Sequence, residues 1–190
     1  MARSVGIDRT RIVEVAAALA DANGYEQLTM APIAAQLGVR LPSLYNHIDG
    51  LPGLRRELAL FGTRQLYERL SRATIGKSSD DAILAFARAF RSYIIEHPGC
   101  YAATVHAPAP NDLEQQQTSQ AIIDVVLAVL EPYGLDPQAA IHAVRGLRSI
   151  VHGFATLEML GGFGMPLDRE ESFQRLLHAY LVGLHQAVTP

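Results

Sequence analysis

The sequence predicts an all-α protein of about nine helices. Helix-forming residues abound, and no stretch sustains the two-residue alternation of apolar and polar residues that marks a half-buried strand. Apolar residues instead recur three and four apart in segments closed by glycine or proline. The chain has 190 residues, 49% hydrophobic and 18% charged, so it folds and has length for one large or two small domains. A single cysteine, Cys100, rules out an internal disulfide and suits a reducing cytoplasm. No apolar run approaches the roughly 20 residues of a membrane span. The start, MARSVGIDRTR, lacks a signal-peptide core. A soluble cytoplasmic protein is expected.

The first helix is expected from about Asp8 to Asn23, with Ile12, Val15, Ala16 and Leu19 as its stripe and Asn23-Gly24 as its stop. Tyr25 to Leu28 turns into TMAPIAAQLGVRLPSLYNHI, residues 29–48. There Thr29 is the expected N-cap, its hydroxyl accepting an otherwise unpaired backbone N–H. Met30, Ile33, Ala34 and Leu37 form the stripe of a short helix, and Gly38 ends it in a left-handed conformation. Pro42 fits the first turn of the next helix, with Leu44 and Ile48 facing inward. Arg40, Ser43, Tyr45, Asn46 and His47 stay mainly outside, all able to hydrogen-bond. A short helix with an apolar inner seam and a polar outer face, braced by another across a glycine turn, is what a helix-turn-helix DNA reader needs.

Asp49-Gly50-Leu51-Pro52-Gly53 breaks the chain again, and Leu54, Leu58 and Phe61 begin a long helix reaching about Thr74. Ile75 to Ser79 is the most linker-like segment. Asp80 to Glu96 carries Ile83, Phe86, Ala87, Phe90 and Ile94 at helical spacing, and His97-Pro98-Gly99 stops it. Cys100 to Val105 predicts one short helix and His106 to Pro110 a loop. Leu113 to Leu130 is helical, with Ile122, Ile123, Val126 and Val129 or Leu130 inward. Asp136-Pro137 opens a helix ending near Leu160, and Gly161 to Pro166 breaks it. Asp168 and Glu171 suit a capping box for the last helix, whose apolar positions are Phe173, Leu176, Leu177, Tyr180, Leu181, Leu184 and Val188. The expected organisation is residues 1–50 as reader, 51–76 as connecting helix and linker, and 77–190 as a larger helical domain, to which the family resemblance given below assigns ligand binding and dimerisation.

The net charge of -3 argues against a DNA binder until its distribution is read. Residues 1–75 hold nine arginines against seven acids, +2, which leaves -5 for the remainder. A basic front and an acidic back suit a reader whose front meets phosphates, although a solvated surface explains the small asymmetry as well. Arg9 and Arg11 can reach phosphates or be ordinary surface arginines.

Thr29, Met30, Ile33, Ala34, Leu37, Gly38, Val39, Ser43, Leu44, Tyr45, His47 and Ile48 meet the pattern T-M-x-x-I-A-x-x-L-G-V-x-x-x-S-L-Y-x-H-[FI]. Over residues 8–58 the chain thereby resembles the TetR/AcrR family of bacterial transcriptional regulators. His97-Pro98-Gly99, His152-Gly153-Phe154 and Gly161 to Gly164 resemble a subgroup with a WHG-type C-terminal domain. The resemblance implies a two-domain, all-helical homodimer that binds a palindromic operator and dimerises through its last two helices. It also implies a small-molecule effector held in the larger domain. Thr29, Tyr45 and His47 would touch phosphates; Arg40, Leu41, Pro42, Ser43 and Asn46 would face the groove. Where many members carry a phosphate-contacting lysine this chain has Leu51, so either Arg55 or Arg56 substitutes or non-specific affinity is lower.

In the back half, Phe86, Phe90, Tyr93, Tyr101, His106 and Met159 mix apolar bulk with polar tips, as a ligand pocket requires; such an aromatic stripe equally describes plain core. His178 and His185 are seven apart, about 10 Å along a helix and too far to share a metal, and His142 and His152 are ten apart. No metal site, cofactor or hydrolase motif is expected. The wide apolar faces of the last two long helices suit a four-helix dimer interface. The reading is a ligand-responsive regulator, most simply a repressor; the alternative is a helical ligand-carrier or enzyme domain without DNA binding.

Overall fold

Asp8 accepts a hydrogen bond from the backbone N–H of Arg11 at 2.8 Å and so starts α1, Arg9–Asn23. Eight further helices follow in the described residues, 7–187, of this computed structural model, and no strand occurs among them. They are α2 (Met30–Leu37), α3 (Leu41–Leu44), α4 (Gly50–Thr74) and α5 (Ser79–Glu96), then α6 (Pro98–Thr104), α7 (Leu113–Leu130), α8 (Pro137–Met159) and α9 (Arg169–Ala187). Two 3-10 turns, Tyr25–Gln27 and Glu131–Tyr133, complete the order. The expected apolar position Val188 and the basic residue Arg3 lie outside the described residues.

The chain divides into two compact units, each made of separate stretches. Residues 1–65 join 96–118, and residues 66–95 join 119–190. The sequence placed boundaries at 50 and 76. The observed division falls inside α4 instead, and a later segment, containing α6, returns to the first unit.

The reason for that return is packing. Ile12, Val15, Ala16 and Ala20 on α1, Ile33 and Ala34 on α2, and Leu44, Ile48, Leu54 and Leu58 beyond them form one buried cluster with Cys100 and Ala103 of α6. Asp21, at the end of α1, accepts from the backbone N–H of Cys100 at 2.8 Å. It thereby satisfies a donor that the first turn of α6 leaves unpaired. His97 Nδ1 lies 3.1 Å from the same carboxylate. Gly99 faces the main chain of Ala20 so closely that a Cβ on it would lie 2.1 Å from the Ala20 carbonyl carbon. Burial, with the nearby Asp21 charge, pushes the Cys100 thiol up to about 12.

In the second unit Ile83, Phe86, Ala87, Phe90 and Ile94 of α5 are all buried, as their spacing predicts. On α7, Val126, Val129 and Leu130 are buried as expected, whereas Ile122 and Ile123 are only half-buried. On α9, Phe173, Leu177, Leu181 and Leu184 are buried, whereas Leu176 is 38% exposed, contrary to expectation. Asp136 caps α8 through the N–H groups of Gln138 and Ala139. The expected capping box at α9 is only half built. Asp168 accepts from the Glu170 N–H, but Glu171 pairs with Arg175 one turn on. Arg91 of α5 binds Glu158 of α8 through two nitrogens at 2.8 Å, also binds Glu170, and lies over the rings of Phe154 and Phe173. Asp80, at the start of α5, accepts from Tyr133 and lies 3.0 Å from His185 Nε2 of α9. The bond from Tyr133 is the main cause holding the Asp80 carboxyl below its usual range.

Two outcomes follow from the α1–α6 contact. Gly99→Ala should destabilise the protein by about 3 kcal/mol, the upper part of the usual overpacking range, because backbone rather than a flexible side chain must yield; urea unfolding followed by circular dichroism measures it. Folded protein at about pH 8 should leave Cys100 unalkylated by iodoacetamide, since the thiolate is the nucleophile. Unfolding in urea should restore ordinary reactivity, read by mass spectrometry.

Candidate nucleic-acid interface

Gly38 ends α2 at φ 68°, in the left-handed region, where a side chain is strained and glycine is not. The N–H groups of Gly38 and Val39 close back onto Ala35 and Ala34 at 3.1 and 3.0 Å. Arg40 and Leu41 then start α3 with Pro42 in its first turn, where no N–H is missed. The helix is shorter than expected. It ends at Leu44, and Tyr45 to His47 continue as turns closed by His47 and Ile48 N–H groups on the Leu44 carbonyl, both at 3.0 Å. Leu44 is 0% exposed and Ile48 is 3% exposed. Burying one such side chain contributes about 1.5–3 kcal/mol, so these two pin the turn onto the core.

What the pinning leaves outside is the set singled out from the sequence. Thr29, Arg40, Leu41, Pro42, Tyr45 and Asn46 are exposed, and Ser43 and His47 are half-buried. Tyr45 is 53% exposed. Thr29 occupies the N-cap position of α2, but its side chain makes no capping bond, contrary to expectation. The segment Gly50 to Gly53, read as a break, is the first turn of α4; the interruption is shorter, at residues 48–49.

The two basic residues at the start of α4 differ in their partners. Arg56 binds Asp112 through Nε and Nη2, the latter at 2.8 Å, and also Glu114 at 2.9 Å and Glu57 at 3.2 Å. These bonds draw the Asp112 and Glu114 carboxyls below their usual range, Arg56 being the largest cause for each. Arg55 lies 3.6 Å from Glu26 and over the Tyr25 ring at 5.2 Å. Arg56 is thus tied into a cluster of carboxylates, whereas Arg55 has one exposed carboxylate partner besides the Tyr25 ring. A different arginine reaches the reader turn. Arg9 Nε donates to the His47 carbonyl at 3.3 Å. Sequence spacing gave no sign of this contact, because 38 residues separate the two. The Asp21 clasp on α6 was equally hidden, although His97-Pro98-Gly99 marked its place.

The six residues read as a ligand pocket are divided. Phe86, Phe90, Tyr93 and Met159 belong to one unit and Tyr101 and His106 to the other. Phe86, Phe90, Tyr93 and Tyr101 are buried, while His106 and Met159 are exposed. Phe86 and Phe90 meet edge to face at 6.0 Å between ring centres. A groove of about 390 Å3 in the first unit, lined by Ala20, Asp21, Tyr25, Pro98 and Gly99 among others, includes none of the six.

Comparison with known proteins fits this geometry. Residues 12–48 match the family described as bacterial regulatory proteins, tetR family, and residues 83–180 match the tetracyclin repressor-like C-terminal domain. The HTH-type transcriptional regulator Rv0681 of Mycobacterium tuberculosis is 36% identical over 190 residues, which cover 100% of this chain and 87% of that one. The HTH-type transcriptional regulator YobS of Bacillus subtilis is 35% identical over 185 residues, covering 97% and 96%. Among solved structures, a Rhodococcus sp. RHA1 protein shares the fold with a TM-score of 0.81 at 21% identity, covering 95% of this chain and 97% of that one. A TetR variant from Acinetobacter baumannii AYE in complex with minocycline does so with a TM-score of 0.73 at 18% identity, covering 97% and 100%. The curated relatives are transcriptional regulators, not enzymes. Their identity along nearly the whole length, joined to an exposed helix-turn-helix face pinned from beneath by Leu44 and Ile48, establishes that this chain belongs to the TetR family of transcriptional regulators.

Proposed function

We propose that the protein is a cytoplasmic, ligand-responsive repressor that binds a palindromic operator as a homodimer and leaves it when a small molecule binds. The observation that carries the DNA half of this reading is the exposure of Arg40, Leu41, Pro42, Tyr45 and Asn46 on a turn whose Leu44 and Ile48 are fully packed. Thr29, Tyr45 and His47 offer hydroxyl and imidazole groups that fix register on phosphates. Arg40, Leu41, Pro42, Ser43 and Asn46 face the groove, where base edges supply discrimination. Asn46 suits adenine and Arg40 suits guanine or phosphate. Two such faces about 34–36 Å apart enter successive major grooves.

The homodimer is supported by apolar side chains that the single chain leaves uncovered on α8 and α9: Ile141, Leu157, Leu176 and Val182 are each 39–50% or 38–40% exposed. A four-helix interface buries such surface. Effector binding draws on the aromatic side chains Phe86, Phe90 and Tyr93 of the second unit, which suit a largely apolar molecule. An effector releases DNA to the extent that it prefers the conformation that binds DNA less well. A TetR variant of the same fold from Acinetobacter baumannii is solved in complex with a small molecule, minocycline.

Gel shift of the purified protein on DNA from upstream of its own gene should show specific, salt-sensitive binding. Specific binding to no genomic fragment would sink the reading. Tyr45→Ala should weaken binding at least about tenfold, the effect of losing roughly 1.4 kcal/mol, and leave the unfolding midpoint unchanged. Light scattering after size exclusion should give twice the 20.7 kDa chain mass.

A further inference from the structure

The first unit contains six arginines among its described residues, and their partners differ in kind. Arg11 is held by Glu14 at 3.0 Å, Arg64 by Glu114 at 2.7 Å, Arg55 by Glu26 and Tyr25, and Arg56 by three carboxylates. Arg40 already belongs to the proposed groove face. Arg9 is the remaining one, and its Nε is spent on main chain rather than on a carboxylate, at the carbonyl of His47 in the reader turn. Its side chain is 63% exposed. Glu57 lies 3.7 Å from its Nη1, beyond hydrogen-bond length, and is nearer to Arg56 at 3.2 Å. So exposed a pair contributes little and is readily exchanged for a stronger anion.

We propose that Arg9 is a phosphate anchor at the flank of the reader turn. The bond to His47 holds the guanidinium beside the residues that meet DNA, so part of its ordering cost is met before binding. Its terminal nitrogens then present the forked donors that match a phosphate group. One side chain thus couples the start of α1 to the turn that carries Tyr45 and His47, and adds sequence-independent affinity on both half-sites. The inference rests on the operator-binding reading above and adds to it a contact that sequence spacing does not reveal.

A phosphate contact is independent of sequence, so the probe is a labelled random-sequence duplex titrated with the full-length protein over a range of salt concentrations. Each neutralised phosphate contributes about 0.9 to the slope of log affinity against log salt. Arg9→Ala should reduce that slope by about 0.9 per protomer and weaken binding to every sequence alike, with an unchanged melting curve. Arg9→Lys, which keeps the charge but not the forked donors, should hold the slope near the wild-type value while weakening affinity; Arg11→Ala should leave the slope near the wild-type value. If Arg9→Ala keeps the wild-type slope while Arg40→Ala weakens binding, Arg9 is a structural clasp and the inference falls while the operator reading stands. If the wild type itself shows no salt-dependent binding to duplex, both fall together.

Discussion

Main chain packed on main chain, Gly99 against Ala20, sets the terms for the first unit. No side chain fits between the two segments, and the adjacent Asp21 carboxylate closes the start of α6 onto the end of α1. A buried N–H without a partner costs about 1–3 kcal/mol, so the carboxylate is a requirement of the close approach, not an accessory to it. Once α6 is seated, Cys100 and Ala103 complete the cluster that also receives Leu44 and Ile48. The exposed reader face therefore rests on a core that includes a helix from beyond α5.

Charge in this unit is mostly spent internally. Arg56 and Arg64 share Glu114, and Arg56 also holds Asp112 and Glu57. A sum of arginines minus acids over the first 75 residues misses this, because Asp112 and Glu114 arrive from later in the chain. What meets an approaching polyanion is set by which guanidiniums remain uncommitted rather than by the count.

Local chemistry made much of the fold legible. Asp8, Gly38, Asp136 and the His97-Pro98-Gly99 stop act within a few residues of where they stand, and each sits at the helix end where the sequence placed it. The buried positions of α5 follow from spacing for the same reason, as do most of those on α1 and α2, where Leu19 and Leu37 are only half-buried. The sequence was weakest where two distant segments compete for one group. Glu171 had a nearer partner in Arg175 than the Asp168 N–H. Arg55 and Arg56 looked free because Glu26, Asp112 and Glu114 are not their neighbours in sequence. Ile122 and Leu176 show the limit of periodicity, which says that a face is apolar but not how far the rest of the chain covers it. In the interface, the outward residues were readable because Leu44 and Ile48 fix the phase of a very short helix; the Arg9–His47 bond was not, having no local pattern.

The discontinuity of the first unit bears on how such regulators can be recombined. A graft that moves only residues 1–50 onto another protein's regulatory half would present Ala20 and Asp21 to a foreign counterpart of α6. Unless that counterpart offers a bare main chain at the same point and a donor for the carboxylate, the joint cannot close. In this chain, therefore, α1 and α6 form a matched pair that has to be exchanged together.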